Sequence, residues 1–304
     1  MLFKDKPDTF VPATIPSTAR QRYLNIAYAS DEHHTLDIYL PTGETTFPVI
    51  LDIYGGGLLR GRKSSVKLNP SLRFLADGFA VISLNYRLNT PAKNYFPNQI
   101  ADIRAALDFL RQHANGYQLD MNNVTLIGES SGAQLAALSA ASFSAQVSLG
   151  TLGSPQTDHS FPIINSIIGL YGPYQVDQFQ EQFLKLNITP KFQETGQANA
   201  FEAIMLNNTP PKLAPDLVIQ ANPATYFTSK MPPLMLIAGT KDSVVPYLQS
   251  VSLAEAYYKT TGKHAITHWV SGGGHGPKDY DTNVIYQKKL SFIRRHIKTT
   301  PITK

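Results

Sequence analysis

The chain contains no cysteine. Disulfides, thiolate nucleophiles and Cys-ligated zinc are therefore excluded together. No apolar run reaches the length that crosses a bilayer. The opening stretch MLFKDKPDTFVPATIP holds Asp5, Asp8 and three prolines, and it lacks the apolar core of a signal peptide. Together these absences lead us to expect a soluble protein, most simply a cytoplasmic one. Repeats and low-complexity tracts are also missing. So are blocks of like charge: the net charge is +5 and the pI about 9.2, yet the densest basic pieces, Arg60-Gly61-Arg62-Lys63 and Arg294-Arg295, are short. A scattered basic surface of this kind reads as solvation rather than as a nucleic-acid footprint.

What is present is apolar and aromatic. Hydrophobic residues make up 42% of 304 positions, with 15 Tyr and 15 Phe, which excludes a disordered chain and supplies a sizeable core. Residues 1–22 are dotted with proline and read as an extended arm; 23–304 read as one domain. Tyr23–Ala29 and Thr35–Leu40 alternate as strands with one exposed face do, around a turn at Ser30–His34. Val49–Tyr54, Ala80–Asn85, Val124–Ile127, Ile163–Leu170 and Leu234–Ala238 are nearly continuous apolar runs, the signature of parallel strands covered on both faces. A more polar last strand follows at His264–Val270. Helical patterns begin near Pro97 and cover Ala133–Ala141, Leu248–Tyr258 and Val284–Ile297. This alternation predicts an α/β fold with a mostly parallel, doubly wound sheet. One stretch breaks the rhythm. Gln178–Thr228 has five prolines and no clear strand, but its phenylalanines and leucines argue against disorder. An insertion of that length between core strands reads as a cap or lid.

The sequence NVTLIGESSGAQLAAL, residues 123–138, sets a Gly-Glu-Ser-Ser-Gly turn between an apolar strand and a small-residue helix. G-x-S-x-G in that context makes a strained strand-to-helix turn that exposes the central residue. Ser130 is then the candidate nucleophile, and the N–H of Ser131 points from a helix N-terminus toward developing negative charge. A serine needs a base and an orienting carboxylate, and in such folds they follow in the order Ser, acid, His. Five histidines lie downstream: His159, His264, His268, His275 and His296. His275 stands apart, in the loop Ser271-Gly-Gly-Gly-His-Gly-Pro277 just after the last strand, from which an imidazole can reach Ser130. Asp242 follows the apolar strand Leu234–Ala238 and is the candidate acid; Asp279 and Asp281 come after the histidine and fit that role poorly. The tetrahedral intermediate needs preset N–H donors, and Tyr54-Gly55-Gly56-Gly57 after the third strand can turn amides inward, so Gly56 and Gly57 join Ser131 as candidates. The same stretch misses both a P-loop, because Arg62 stands where Lys is needed, and a dinucleotide fingerprint, because Arg60 stands where the last glycine belongs.

These residues together resemble the α/β-hydrolase superfamily, in particular its HGGG-type esterase/lipase group and the small carboxylesterases that include acetyl-xylan and feruloyl-type esterases. Asn85-Tyr-Arg-Leu88, Phe96-Pro-Asn-Gln-Ile-Ala-Asp102, Leu170-Tyr-Gly-Pro-Tyr174 and Asn222-Pro-Ala-Thr-Tyr226 carry the likeness alongside the serine turn. The resemblance implies a triad of Ser130, Asp242 and His275, an oxyanion site of Gly56, Gly57 and Ser131, no metal or cofactor, and a small-molecule ester as substrate. Two departures stand out. Tyr54 occupies the place of the motif's histidine, so hydrogen bonding around the glycine loop must differ. The nucleophile turn is Gly-Glu-Ser-Ser-Gly-Ala, unlike the Gly-Asp-Ser-Ala-Gly-Gly of hormone-sensitive-lipase relatives. The lack of a long apolar lid helix favours short acyl chains. Other readings are an amide hydrolase, of kynurenine-formamidase or small-peptidase type, and a non-catalytic binding protein on the same scaffold. Assembly into homo-oligomers is not legible.

Overall fold

A computed structural model describes residues 2–43, 46–90, 92–152 and 160–298. Eight strands form one sheet: β1 (Gln21–Ala27), β2 (Thr35–Leu40), β3 (Phe47–Ile53), β4 (Ala80–Leu84), β5 (Leu119–Glu129), β6 (Ser166–Leu170), β7 (Leu234–Gly239) and β8 (Ile266–Val270). Their spatial order is β1-β2-β4-β3-β5-β6-β7-β8. β1 and β4 each pair antiparallel with β2; every later pairing is parallel. The helices are α1 (Asn69–Leu72), α2 (Asn98–Gln112), α3 (Ser131–Ser144), α4 (Phe179–Leu186), α5 (Phe201–Ile204), α6 (Pro215–Ala221), α7 (Leu248–Thr261) and α8 (Asn283–Arg294). Among the described residues no helix is long and apolar enough to cross a membrane.

The continuous apolar runs have a direct cause. Val49, Leu51 and Ile53 of β3 point into the cluster packed by α2, α3 and α7, while Ile50 of the same strand joins Val81, Ile127, Ile168 and Met235 in the cluster under α1 and α8. Both faces are covered, so neither parity can be polar. Each such aliphatic side chain contributes about 1.5–3 kcal/mol by leaving water. The edge strands relax that demand: β1 and β8 are mostly exposed or half-buried. Boundaries shift where polar residues end an apolar run. β5 begins at Leu119 rather than Val124, because Phe47 and Pro48 of β3 pair with Leu119 and Asp120. β6 begins at Ser166, leaving Ile163 59% exposed.

Residues 178–228 contain no strand; α4, α5, α6 and short 3-10 turns fill the stretch. Phe179, Phe183, Phe192 and Phe201 make a small core of their own with Val244 and Val245, while Leu184 is 80% exposed. Ahead of β1, Pro12 bridges Ser65, with Ala13 N–H donating to the Ser64 carbonyl and Val66 N–H to that of Val11. Phe3 packs edge-on against Phe192 at 5.1 Å and against Phe201 at 5.1 Å. The first residues of the chain and the insertion therefore meet over the carboxyl ends of the strands.

Candidate active site

Ser130 sits between β5 and α3 with φ 52° and ψ −127°, a conformation that L-residues other than glycine rarely adopt. The flanking glycines make that turn sterically feasible. A Cβ on Gly132 would lie 2.0 Å from the Ile53 carbonyl oxygen, and one on Gly128 would lie 2.2 Å from that of Gly132. α3 thus nests against the end of β3, and Ser130 is lifted out. Its N–H donates to the Leu170 carbonyl at 2.9 Å, which ties the turn to β6.

Asp242 and His275 come from the ends of β7 and β8. Asp242 is buried; its Oδ1 accepts the N–H groups of Val244 at 2.7 Å and Val245 at 3.0 Å. Its Oδ2 lies 2.7 Å from His275 Nδ1, and His275 Nε2 lies 3.0 Å from Ser130 Oγ. The three side chains singled out in the sequence meet as one relay. The loop carrying His275 is braced at several points. Gly274 N–H donates to Asp279 Oδ2 at 2.8 Å and Tyr280 O–H to the Gly274 carbonyl at 2.7 Å; Gly272 N–H donates to Thr240 Oγ1 at 2.9 Å. Asp279 thus orients the loop rather than the imidazole, and Asp281 pairs with Arg73 at 3.0 Å. The other histidines lie elsewhere: His264 stacks on Tyr258 at 4.3 Å, His268 is in β8, and His296 bonds the Phe292 carbonyl at 2.8 Å. His159 lies outside the described residues.

The glycine loop faces the same serine. A Cβ on Gly55 would meet the Glu129 carbonyl oxygen at 2.5 Å and Ser130 Cβ at 2.8 Å, so only glycine allows this approach. Gly56 N–H donates to Ser131 Oγ at 3.1 Å, and Leu58 N–H reaches the same oxygen at 3.3 Å. Gly57, with φ +65°, has no partner for its N–H among the described residues. Ser131 opens α3, so its N–H has no acceptor within the helix. Of the three oxyanion candidates, Gly57 and Ser131 therefore present free amides, whereas that of Gly56 is engaged by the Ser131 hydroxyl. Tyr54, in place of a histidine, stacks on Tyr86 at 4.5 Å, and Tyr86 O–H donates to the Tyr54 carbonyl at 2.7 Å. A ring stack and a backbone bond hold the loop.

Several neighbours of the serine are not singled out in the sequence as site residues. Glu129 accepts from Tyr171 O–H at 2.7 Å and pairs with Lys67 at 3.2 Å; Lys67 also donates to the Gly55 carbonyl at 3.0 Å. Tyr171 lies edge-on to the His275 ring at 4.8 Å, and burial drives its phenol pKa well up. Its position just after β6, at the carboxyl edge of the sheet, and its place in the Leu170–Tyr174 stretch are the cues available from sequence. Beneath the serine turn, burial pushes the Asp52 carboxyl up to about 7 and the Lys289 ammonium down to about 8. Above it opens a cleft of about 310 Å³, lined by Ser130 and His275 and by Phe3 and residues 6–11 of the N-terminal arm. Among the described residues no group of three or more His, Asp or Glu side chains could hold a metal ion.

A mostly parallel sheet of this order, with a strained serine after the fifth strand, is the α/β-hydrolase fold. The chain belongs to the BD-FAE family, whose model matches residues 36–257. Among curated relatives, it is 23% identical over 277 residues to esterase LipC of Mycobacterium tuberculosis, covering 87% of this chain and 63% of that one. It is 27% identical over 245 residues to a probable isoprenylcysteine alpha-carbonyl methylesterase of Arabidopsis thaliana, covering 80% and 48%. The chain thus spans less than two thirds of the length of these relatives. Among solved structures it resembles a truncated form of a carbohydrate esterase from gut microbiota, with a TM-score of 0.78 and 27% identity over 94% of this chain and 99% of the other.

Proposed function

We propose that the protein is a serine carboxylic-ester hydrolase acting on short acyl chains. One observation carries this reading: the unbroken relay Asp242 Oδ2–His275 Nδ1 at 2.7 Å and His275 Nε2–Ser130 Oγ at 3.0 Å, opening into a cleft. The names of the relatives, esterase and methylesterase, agree with it. In the chemistry this supports, Asp242 holds the tautomer that donates Nδ1–H, leaving the Nε2 lone pair for the Ser130 proton. Ser130 Oγ attacks the ester carbonyl carbon, and the carbonyl oxygen takes the negative charge beside the Gly57 and Ser131 amides. Gly56 can join them only when Ser131 Oγ releases its N–H. The imidazolium gives its proton to the departing alcohol. Water then attacks the acyl-enzyme with His275 again taking the proton, and the acid leaves as Ser130 is restored. No step calls for a metal or cofactor.

The short-chain preference rests on what surrounds the cleft. Residues 178–228 act as a cap on a single hydrolase domain, yet their helices α4, α5 and α6 are short, and the cleft rim carries charged side chains. A cleft of about 310 Å³ has room for a short acyl group rather than for a long alkyl chain. The test is a para-nitrophenyl ester series from acetate to palmitate, with Ser130→Ala as control. Activity should peak between acetate and butyrate and fall by roughly six orders of magnitude in the variant, with its melting curve kept. Equal activity in the variant would overturn the role of Ser130. Labelling of Ser130 by a fluorophosphonate without any ester turnover would move the reaction to amides.

A further inference from the structure

The cleft over Ser130 has a charge balance that ester hydrolysis does not need. Its lining includes four cations, Lys6, Arg60, Arg62 and Lys67, and two carboxylates, Asp8 and Glu129. Two of the cations are already matched: Arg62 lies 3.5 Å from Asp8, and Lys67 lies 3.2 Å from Glu129. Lys6 and Arg60 have no carboxylate partner among the described residues. Arg60 is held rather than loose, since its guanidinium lies over the Phe3 ring at 4.5 Å and donates to the Phe3 carbonyl. Lys6 projects over the Phe192 ring at 5.8 Å. Burial and the nearby Lys191, Arg60 and Lys67 push its ammonium below the ordinary value, while Asp8 and Asp5 act on Arg60 through space without a direct contact.

Like charges gathered at the mouth of a cleft cost free energy unless something of opposite sign visits it, and a narrow opening focuses their field. The Phe3 stack fixes Arg60, which lowers the entropy lost when it binds an anion. We propose that the substrates of this site are esters bearing a free carboxylate, such as an acyl ester on an acidic sugar or a half-ester of a dicarboxylic acid, with Lys6 and Arg60 receiving that carboxylate while Ser130 attacks the ester. This inference rests on the esterase reading and narrows its substrate class. Phe3 and residues 6–11 would then belong to the binding site rather than to a passive approach to β1.

The experiment compares matched pairs that differ only in charge. Para-carboxyphenyl acetate is set against para-carbamoylphenyl acetate, with charge on the alcohol side, and monoethyl succinate against ethyl succinamate, with charge on the acyl side. At low salt, kcat/KM for at least one acid should exceed that of its amide twin by roughly five- to tenfold, and the pair responding reports which side faces Lys6. Raising salt should erase the advantage. Lys6→Glu should reverse the acid-to-amide ratio, and Lys6→Arg should retain it; a merely structural lysine would leave the ratio alone. Turnover of both amides with no gain for either acid overturns this inference and leaves the esterase reading intact. No turnover of any of the four while para-nitrophenyl acetate is cleaved overturns this inference alone; no turnover of para-nitrophenyl acetate either overturns the esterase reading, and this one falls with it.

Discussion

Two histidines of this chain meet a buried aspartate at nearly the same distance, and only one pair faces a reactive hydroxyl. His275 Nδ1 lies 2.7 Å from Asp242; His34 Nε2 lies 3.0 Å from Asp102. The difference is in the remaining partners. The second nitrogen of His275 faces Ser130 Oγ at a cleft. The second nitrogen of His34 is spent on the N–H of Asp31 at 3.2 Å, and Asp102 also receives the Arg87 backbone N–H at 3.0 Å and its guanidinium Nε at 2.9 Å. Arg87 continues to the Thr151 carbonyl at 2.9 Å. A His–Asp pair is therefore no signature of chemistry by itself. An acceptor nitrogen left open toward a nucleophile makes a relay; a guanidinium and a closed set of bonds make a rivet joining the turn before β2, the segment after β4, and α2.

The largest effect that separates the two pairs is catalytic. Asp242→Asn should lower kcat for a short-chain aryl ester by roughly 10⁴-fold, because the imidazole loses its orienting charge and tautomer. The cost in folding should be only about 1–2 kcal/mol, since the amide oxygen can still accept from Val244 and Val245. Steady-state kinetics and a denaturant titration read the two numbers separately. An Asp242→Asn enzyme with near-normal turnover would remove the relay from the mechanism.

Asp102→Asn should behave the other way. It leaves the buried Arg87 guanidinium uncompensated, since the two form a close ion pair at 2.5 Å, and removing one partner of such a pair costs about 3–5 kcal/mol. Turnover per folded molecule should stay within about twofold, because stability losses away from the reacting groups act through the folded fraction. A variant of full stability and reduced kcat would show that the rivet reaches the active site.

The contrast also explains how much was legible beforehand. The core strands stood out because burial on both faces leaves continuous apolar runs, as in β3 and β7. Ser130 and Asp242 could be picked out because each follows such a strand, and His275 because it sits in a glycine-rich loop after the more polar β8; the fold brings those ends to one edge. His34 and Asp102 lie 68 positions apart, and nothing local announces their meeting. The same holds for Phe3 against Phe192, Lys67 against Glu129, and the Ser131 hydroxyl on the Gly56 amide. Each joins segments far apart in sequence, whereas propensity and periodicity read only neighbours. Strand ends slipped for a related reason: the ladder partner, as with Phe47 opposite Leu119, decides where a strand stops.

A third buried carboxylate completes the comparison, because it has no basic partner. Glu202, in α5, accepts the Gly196 N–H at 2.7 Å through Oε1, while Oε2 has no partner among the described residues. Burial pushes its pKa up to about 7 from 4.5. The folded protein therefore holds a proton there that the unfolded chain gives up over that interval. The stabilisation is complete below the unfolded value and is lost as pH rises through the folded one. Glu202→Gln has no such proton to lose. Between about pH 5 and about pH 8 the parent should lose more stability than the variant, by less than about 3 kcal/mol, seen as a steeper fall in Tm. Parallel Tm-versus-pH curves would mean that Glu202 finds a donor or water when ionised, and that a lone carboxyl in residues 178–228 behaves more like the riveted Asp102 than its surroundings imply.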